Sequence, residues 1–335
     1  MEASLYIRKW IERDNQMVSE LFTKKILVTG ATGFIGANLT HYLVSQGCRP
    51  HITLRRESNT WRINEILKKL HLHYVDLSDK DRIKKIILMI KPRIIYHCAT
   101  YGGFSFQADS DKIINTNIIG TINLVNACRK IEFDCLVNTG SSSEYGLKKQ
   151  PMKESDLLEP INDYGISKAT ATLFCQSVAR REKLPIATLR LFSPYGYFES
   201  QARLIPSVIL SCLNKTNPEL SSPDSVRDFI FIDDVINAYT NVLENNNKIR
   251  GEIFNIGYGR QHTAGEIVNK IIALIGYKVK PIWKSVPNPH IEPFCWQADT
   301  GKAKKILGWQ PNHNLDAGLK KAISWFRKNL SLYKD

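Results

Sequence analysis

Lys25-Ile-Leu-Val-Thr-Gly30-Ala-Thr-Gly33-Phe-Ile-Gly36 runs an apolar strand into three glycines spaced three apart, and an amphipathic stretch, Phe34 to Val44, follows. Glycines at this spacing permit a tight turn and let backbone N–H groups approach a pyrophosphate at the positive end of a helix. Gly30, Thr32, Gly33, Phe34, Ile35 and Gly36 therefore read as a dinucleotide cradle. Glycines occur in many strand–helix turns. The triplet carries weight here because the strand before it and the helix after it are both present.

Working outward, Tyr164-Gly-Ile-Ser-Lys168 sets a phenol and an ammonium at i, i+4, on one face of a helix. A neighbouring ammonium stabilises the phenolate and lowers a pKa that is about 10 when unperturbed. Tyr164 then becomes a proton donor or acceptor beside a nicotinamide. A lone Tyr-x-x-x-Lys is common on solvated helices, but this one lies downstream of a cradle and of a Ser-rich strand end. Together the two stretches predict redox chemistry on an alcohol or ketone.

Strand-like runs alternate with helical ones between and beyond these motifs. The runs Lys25–Thr29, Pro50–Leu54, Leu72–Val75, Arg93–His97 and Cys135–Asn138 read as strands, with helices near Phe34–Ser45, Trp61–Leu70, Asp81–Ile90 and Asp111–Arg129. A helix near Tyr164–Arg180 and a strand near Ile186–Leu191 continue the pattern. Such alternation predicts an α/β fold, a doubly wound parallel (Rossmann) sheet covered on both faces. After Ser193-Pro-Tyr-Gly196 the pattern loosens, and Ser221-Ser-Pro-Asp-Ser225 and Ser285-Val-Pro-Asn-Pro289 mark loops. The expected organisation is an N-terminal extension over 1–22, a dinucleotide-binding domain over 23–192, and a smaller C-terminal substrate-binding lobe. That lobe spans 193–335 and is interleaved with the sheet.

Bulk properties narrow the function classes. A chain of 335 residues, 43% hydrophobic and 23% charged, is ordinary for a soluble globular protein with a real core. No apolar run approaches a membrane span. The first 22 residues carry Glu2, Glu12, Asp14 and Glu20 and lack a signal-like core; Leu5, Trp10, Ile11, Met17, Val18 and Leu21 suit an amphipathic packing extension. Seven cysteines are scattered singly, which predicts buried thiols in a reducing cytoplasm and neither a disulfide framework nor a metal site. The histidines show no metal-ligand spacing either, and His71 and His73 read as structural. The net charge of +14 is spread without a long basic tract, so neither nucleic acid nor membrane is expected as a partner. Some of that charge suits a phosphate-bearing substrate.

These separated motifs, in this order, resemble the extended short-chain dehydrogenase/reductases of the nucleotide-sugar epimerase, dehydratase and reductase group, over roughly Lys24 to Phe326. The resemblance implies a nucleotide-diphosphate sugar as substrate and a homodimer built on the helix before the Ser-rich strand and the Tyr164 helix. It also implies a catalytic Ser or Thr five residues before the glycine of a terminal Tyr-Gly. In Thr139-Gly-Ser-Ser-Ser-Glu-Tyr-Gly146 that count selects Ser141, with Ser142 as runner-up. Relatives that are 4,6-dehydratases follow this residue with one or two acids. Counted from Ser141, Ser142 and Ser143 follow and Glu144 comes one step late, which turns the reading towards a reductase or an epimerase; counted from Ser142, Glu144 would fit a dehydratase.

The remaining site residues follow. A carboxylate at the end of the second strand would bind the ribose hydroxyls of NAD, but this chain has Thr53-Leu-Arg55-Arg56-Glu57. Two guanidinium groups there favour a 2′-phosphate and hence NADP over NAD. Asp76 and Leu77 match the family position that contacts adenine, and Cys98, Ala99 and Thr100 end the fourth strand beside the cofactor path. Tyr101 and Gly102 border the sugar, together with Ser142, Ser143 and Ser193. Arg227 in Val226-Arg227-Asp228 resembles the family's diphosphate clamp, and Arg203 reaches towards the same group. Where relatives carry a second clamping Arg, this chain offers His290 and Glu292. The expected function is an NADPH-dependent ketoreductase of a 4-keto-6-deoxy sugar nucleotide, with Ser141, Tyr164 and Lys168 as the catalytic set. The alternatives are an NAD-dependent 4-epimerase, then a 4,6-dehydratase, then a non-catalytic dinucleotide sensor.

Overall fold

The computed structural model describes residues 23–245, 248–277, 279–286 and 293–333. The N-terminal extension and His290 lie outside the described residues.

Seven parallel strands form the centre: β1 (Ile26–Thr29), β2 (His51–Leu54), β3 (His71–Tyr74), β4 (Ile94–His97), β5 (Cys135–Ser141), β6 (Ile186–Leu191) and β7 (Glu252–Ile256), in the order β7-β6-β5-β4-β1-β2-β3. The order runs outward from β1 in both directions, so the crevice where it reverses lies beyond the carboxyl ends of β1 and β4. The Rossmann expectation holds. The apolar runs of β1, β4, β6 and most of β5 become strands buried on both faces, and period-two alternation divides them between two layers, while β3 at the sheet edge is half-exposed. Ile26 and Val28 join one core cluster with Ile94, Tyr96 and Val137, while Leu27 faces Ile83, Ile87, Leu124 and Leu136 in the other.

The flanking helices are α1 (Phe34–Ser45), α2 (Lys80–Ile90), α3 (Ser110–Ile113), α4 (Gly120–Cys128) and α5 (Asp163–Glu182). Side-chain caps fix some of the starts: Asp79 accepts from Arg82 N at α2, and Asn162 accepts from Gly165 N at α5. Two of the expected helices are not plain α-helices. Trp61–Lys69 is a 3-10 helix. Its buried residues, Ile63 and Ile66, lie three apart, which matches a three-residue turn. The helix expected over 111–129 is not uniform either. Between α3 and α4 the chain widens into a π-helical segment, Ile114–Ile119, that carries the buried Asn117.

After β6 the chain forms α6 (Leu204–Leu213) and α7 (Ile232–Glu244), adds β7 to the sheet edge beside β6, and continues with α8 (Ala264–Ile275), α9 (Gly301–Leu307) and α10 (Leu315–Lys328). Two-residue strands tie this region together, among them Val226–Arg227 paired with His262–Thr263 and Pro194–Tyr195 paired with Ile230–Phe231. All seven cysteines are buried and none is in a disulfide. No helix among the described residues is long and apolar enough to cross a membrane.

Candidate active site

The turn between β1 and α1 has no room for side chains at its glycines. Gly30 has φ +69°, and a methyl group there would lie 2.5 Å from Ala99 N. A methyl at Gly36 would lie 2.2 Å from Gly30 O. The cradle therefore presses against the Cys98–Ala99 backbone at the end of β4, and the first turn of α1 closes on it through Gly33 N–H to Gly30 O at 3.0 Å. Gly33 caps α1 without a side-chain hydrogen bond, so this helix start presents backbone to a ligand. These residues fit the pyrophosphate of a dinucleotide. Arg62, which sequence reading passed over, braces the turn from outside: Nη1 donates to Thr32 O at 3.2 Å and Nε to Phe198 O at 2.7 Å.

At the other end of the crevice, Arg55, Arg56, Glu57, Tyr74, Val75, Asp76 and Arg82 line a shallow depression of about 210 Å³. Arg55 pairs with Glu57 at 3.2 Å, and Asp76 holds the Ser78 amide and hydroxyl at 2.8 and 2.7 Å. Leu77 is buried against Gly120.

Below the crevice a directed chain of hydrogen bonds crosses the sheet. Thr121 donates its single hydroxyl hydrogen to Asn117 O at 2.6 Å. His97 Nε2 must therefore carry the proton it shares with Thr121 Oγ1 at 2.8 Å, and Nδ1 accepts from Thr29 Oγ1 at 2.7 Å. Burial, reinforced by the charge of Lys168, pushes the His97 pKa down to about 3. The ring stays neutral at working pH. The same burial pushes the Cys98 thiol up to about 11, so it is inert.

Asn117 joins three elements at once. Its Oδ1 accepts from Tyr101 N at 2.9 Å and from Thr100 Oγ1 at 3.2 Å, and its Nδ2 donates to Tyr101 O and to Ser167 Oγ, each at 2.8 Å. Tyr101 is thereby pinned to α5. Gly102, with φ +92°, lets the loop turn beside the Tyr164 ring; a methyl there would lie 2.8 Å from Ile113 and 3.4 Å from Tyr164 Cδ2.

Ser141 ends β5, and its Oγ accepts from Ser143 N at 3.1 Å. Ser142 is buried, and the Ser143 carbonyl lies against Gly165, where a methyl would come within 2.6 Å. The serine turn thus touches α5 one residue beyond Tyr164. Lys168, 4% exposed, follows one turn later, and its charge acts on His97, Cys98 and Glu144. Tyr164 is half-buried at the crevice wall. Ser141 thus ends β5, Lys168 lies near the end of β4, Tyr164 lies beside Gly102 in the loop that follows β4, and the Gly30 turn packs on that same strand end at Ala99.

Two arginines stand further out. Arg203, at the start of α6, donates to Gly103 O and lies 4.3 Å over the Phe104 ring. Arg227 stacks over Trp296 at 5.2 Å and donates to Val226 O at 2.6 Å. Ser193 O accepts from Ile230 N at 3.2 Å. Asp228 accepts from the amides of Tyr258, Gly259 and Ala298 at 2.8–3.0 Å, which makes it a buttress of the loop. Sequence reading also missed Asn117, Arg190 and Thr172. Only Arg190 gave a signal, as a cation inside the apolar run Ile186–Leu191.

A sequence model of the NAD dependent epimerase/dehydratase family matches residues 26–257. The UDP-glucuronate 4-epimerase of Thermodesulfobacterium geofontis is 26% identical over 327 residues, covering 92% of this chain and 98% of that protein. The crystal structure of UDP-glucose 4-epimerase from Thermotoga maritima, with UDP-glucose, superposes with a TM-score of 0.82 at 26% identity, covering 91% of this chain and 99% of that one. The dTDP-glucose 4,6-dehydratase of Bacillus anthracis, in complex with NAD, gives 0.81 at 26% identity, with 92% and 98% covered.

Proposed function

The chain belongs to the NAD dependent epimerase/dehydratase family, enzymes of the extended short-chain dehydrogenase/reductase type, and on that footing we propose that it is a nucleotide-sugar 4-epimerase. What supports the reading is the presence of Ser141, Tyr164 and Lys168 near the ends of β4 and β5, where the glycine turn also packs, in a chain similar over about nine-tenths of its length to 4-epimerases. A 4,6-dehydratase needs acidic groups after its catalytic hydroxyl. Here Ser142 and Ser143 occupy those positions, and Glu144 is fully buried and paired with Arg190.

When bound, the nicotinamide supplies a reversible hydride acceptor. The chain's own residues handle the proton and the positioning. Tyr164, as phenolate, takes the proton of the C4 hydroxyl and returns it after the keto sugar has turned over. Lys168, one helical turn on, would hold the nicotinamide ribose. Ser141 donates to the reacting oxygen. Arg227 clamps the diphosphate, with Arg203 beside it. Tyr101, Gly102, Ser142, Ser143 and Ser193 border the sugar. Residues 23–192 hold the dinucleotide, and 193–335 form most of the substrate lobe. Leu173 and Ile166, exposed on α5, suit the contact face of a homodimer.

One observation favours the ketoreductase reading: the depression lined by Arg55, Arg56 and Arg82 suits a 2′-phosphate, and NADP(H) suits net reduction. A single experiment separates the two. Purified protein is incubated with UDP-hexoses and with 4-keto-6-deoxy sugar nucleotides, with and without NADPH or NADH. The epimerase reading expects 4-epimers to interconvert with no net cofactor consumption, and expects Tyr164→Phe to abolish this. Substrate-dependent NADPH loss without epimerisation overturns it in favour of the reductase.

A further inference from the structure

Under the serine turn lies an ion pair that the chemistry above leaves unused. The Glu144 and Arg190 side chains are 0% and 1% exposed, with Oε2 and Nε 2.6 Å apart. The other carboxylate oxygen, Oε1, accepts from Ser141 N at 2.8 Å and from Thr172 Oγ1 at 3.0 Å. Thr172 lies on the same face of α5 as Tyr164 and Lys168, at i+8 and i+4 from them. One oxygen atom therefore grips both the strand end that carries Ser141 and the helix that carries the phenol and ammonium.

The pair is itself held without slack. Arg190 Nη1 donates to the Tyr145 hydroxyl at 2.8 Å, and the guanidinium lies 4.6 Å over the Tyr145 ring. Tyr145 donates in turn to Asn255 Oδ1 on β7 at 2.7 Å. A methyl at Gly140 would come within 2.7 Å of Glu144 Oε1, so the turn closes tightly over the carboxylate. Buried ion pairs are poor sources of net stability, because apolar groups of the same shape often serve as well. Such groups could not accept from a strand amide and a helix hydroxyl at once.

We propose that Glu144, oriented by Arg190, is a positioning residue that fixes the distance between Ser141 and the Tyr164–Lys168 face, so that both hydroxyls meet one substrate oxygen. The inference rests on the proposed alcohol–ketone chemistry at that site. Both side chains are sealed from the crevice, and they act through Ser141 and α5.

The test pairs kinetics with a substrate-free measurement. In Glu144→Leu/Arg190→Met the gripping oxygen and both charges of the pair leave together, so neither charge is left buried without its partner. The expected result is a folded protein with the cofactor content of the unaltered enzyme, KM unchanged, and kcat lower by about 10- to 100-fold through misplacement of the reacting groups. Amide hydrogen exchange over 140–146 is expected to speed up while that of the β1–α1 turn stays as it was. Unchanged kcat in the folded double variant overturns the proposal. If the unaltered protein turns over no nucleotide sugar, the functional reading falls on its own, and exchange decides: unchanged protection over 140–146 sinks the positioning role. If the double variant does not fold, Thr172→Val, which frees only the helix side of the grip, decides by the same split between kcat and KM.

Discussion

Asn117 and Ser167 are joined by a hydrogen bond of 2.8 Å from amide nitrogen to hydroxyl, and Ser167 in turn donates to Tyr164 O at 2.8 Å. The π-helical segment thus reaches the backbone of the tyrosine through two bonds. Asn117→Leu keeps the volume and removes all four Asn117 side-chain bonds. Leaving the Tyr101 amide unpartnered costs about 1–3 kcal/mol. We expect a lower urea midpoint together with a kcat loss that exceeds any change in KM, measured on the folded protein.

The cradle glycines are predicted to differ in tolerance. A methyl at Gly36 would lie 2.2 Å from Gly30 O, against 3.3 Å for one at Gly33. Gly36→Ala must open the turn, and it is expected to lose bound dinucleotide and melt earlier. Gly33→Ala needs only a small shift and is expected to keep measurable binding. Titration calorimetry with NAD and NADP on both variants checks the order.

Arg55 and Arg56 face the depression at the ends of β2 and β3. If a 2′-phosphate seats there, losing one charge-assisted contact costs about 1.5 kcal/mol, roughly tenfold in affinity. Arg56→Ala should then weaken NADP binding by that factor and leave NAD unaffected. Equal affinity of the unaltered protein for NAD and NADP would remove the case for net reduction.

Ile166 and Leu173, 48% and 52% exposed, stand seven residues apart on α5, and Ile114 on the π-helical segment is 45% exposed. Leu173→Asp places a charge in this apolar face. Sedimentation should show a dimer for the unaltered protein and a monomer for the variant; identical profiles would rule out this face as the contact.

His97 gives a pH signature. Its folded pKa, about 3, lies below the unfolded value of 6.5, so its contribution is full above pH 6.5 and is lost as pH falls through that window. Each unit of displacement is worth about 1.4 kcal/mol. His51, pushed down to about 4 by burial and by His71 and His73, adds to the same loss. Buried Glu199 and Asp228, pushed up to about 8 and about 7, oppose this loss between pH 7 and pH 5, so the signature is the difference between proteins: His97→Asn should lower the slope of unfolding free energy against pH by close to one proton near pH 5. An unchanged slope would show that His97 does not govern it.

Much of this molecule was legible in the chain. Strands β1, β2 and β4 to β6 stand where largely apolar runs predicted them, because a strand buried on both faces must be mostly apolar, whereas the half-exposed edge strand β3 was legible from its place in the alternation. The cradle and the Tyr–Lys pair are local spacings, and local spacing survives in sequence. Two features did not. β7 is an apolar run like the others, but nothing local says that Glu252–Ile256 pairs with β6 some 60 residues earlier. Glu144 looked like a misplaced dehydratase acid because its partner, Arg190, is 46 positions away. Trp61–Lys69 was legible as helical but not as to type, since a three-residue and a 3.6-residue period are hard to tell apart over nine positions.

The late arrival of β7 bears on how the protein is made. While a ribosome delivers residues 192 to 251, the outer edge of β6 has no neighbour, and its row of amides and carbonyls is open to any passing strand. Asn255 also supplies the acceptor for Tyr145, so the network under the serine turn is incomplete until the same moment. Nascent chains stalled in this interval carry a formed cradle and an unsealed sheet, and they are the forms that chaperones would be called on to shield.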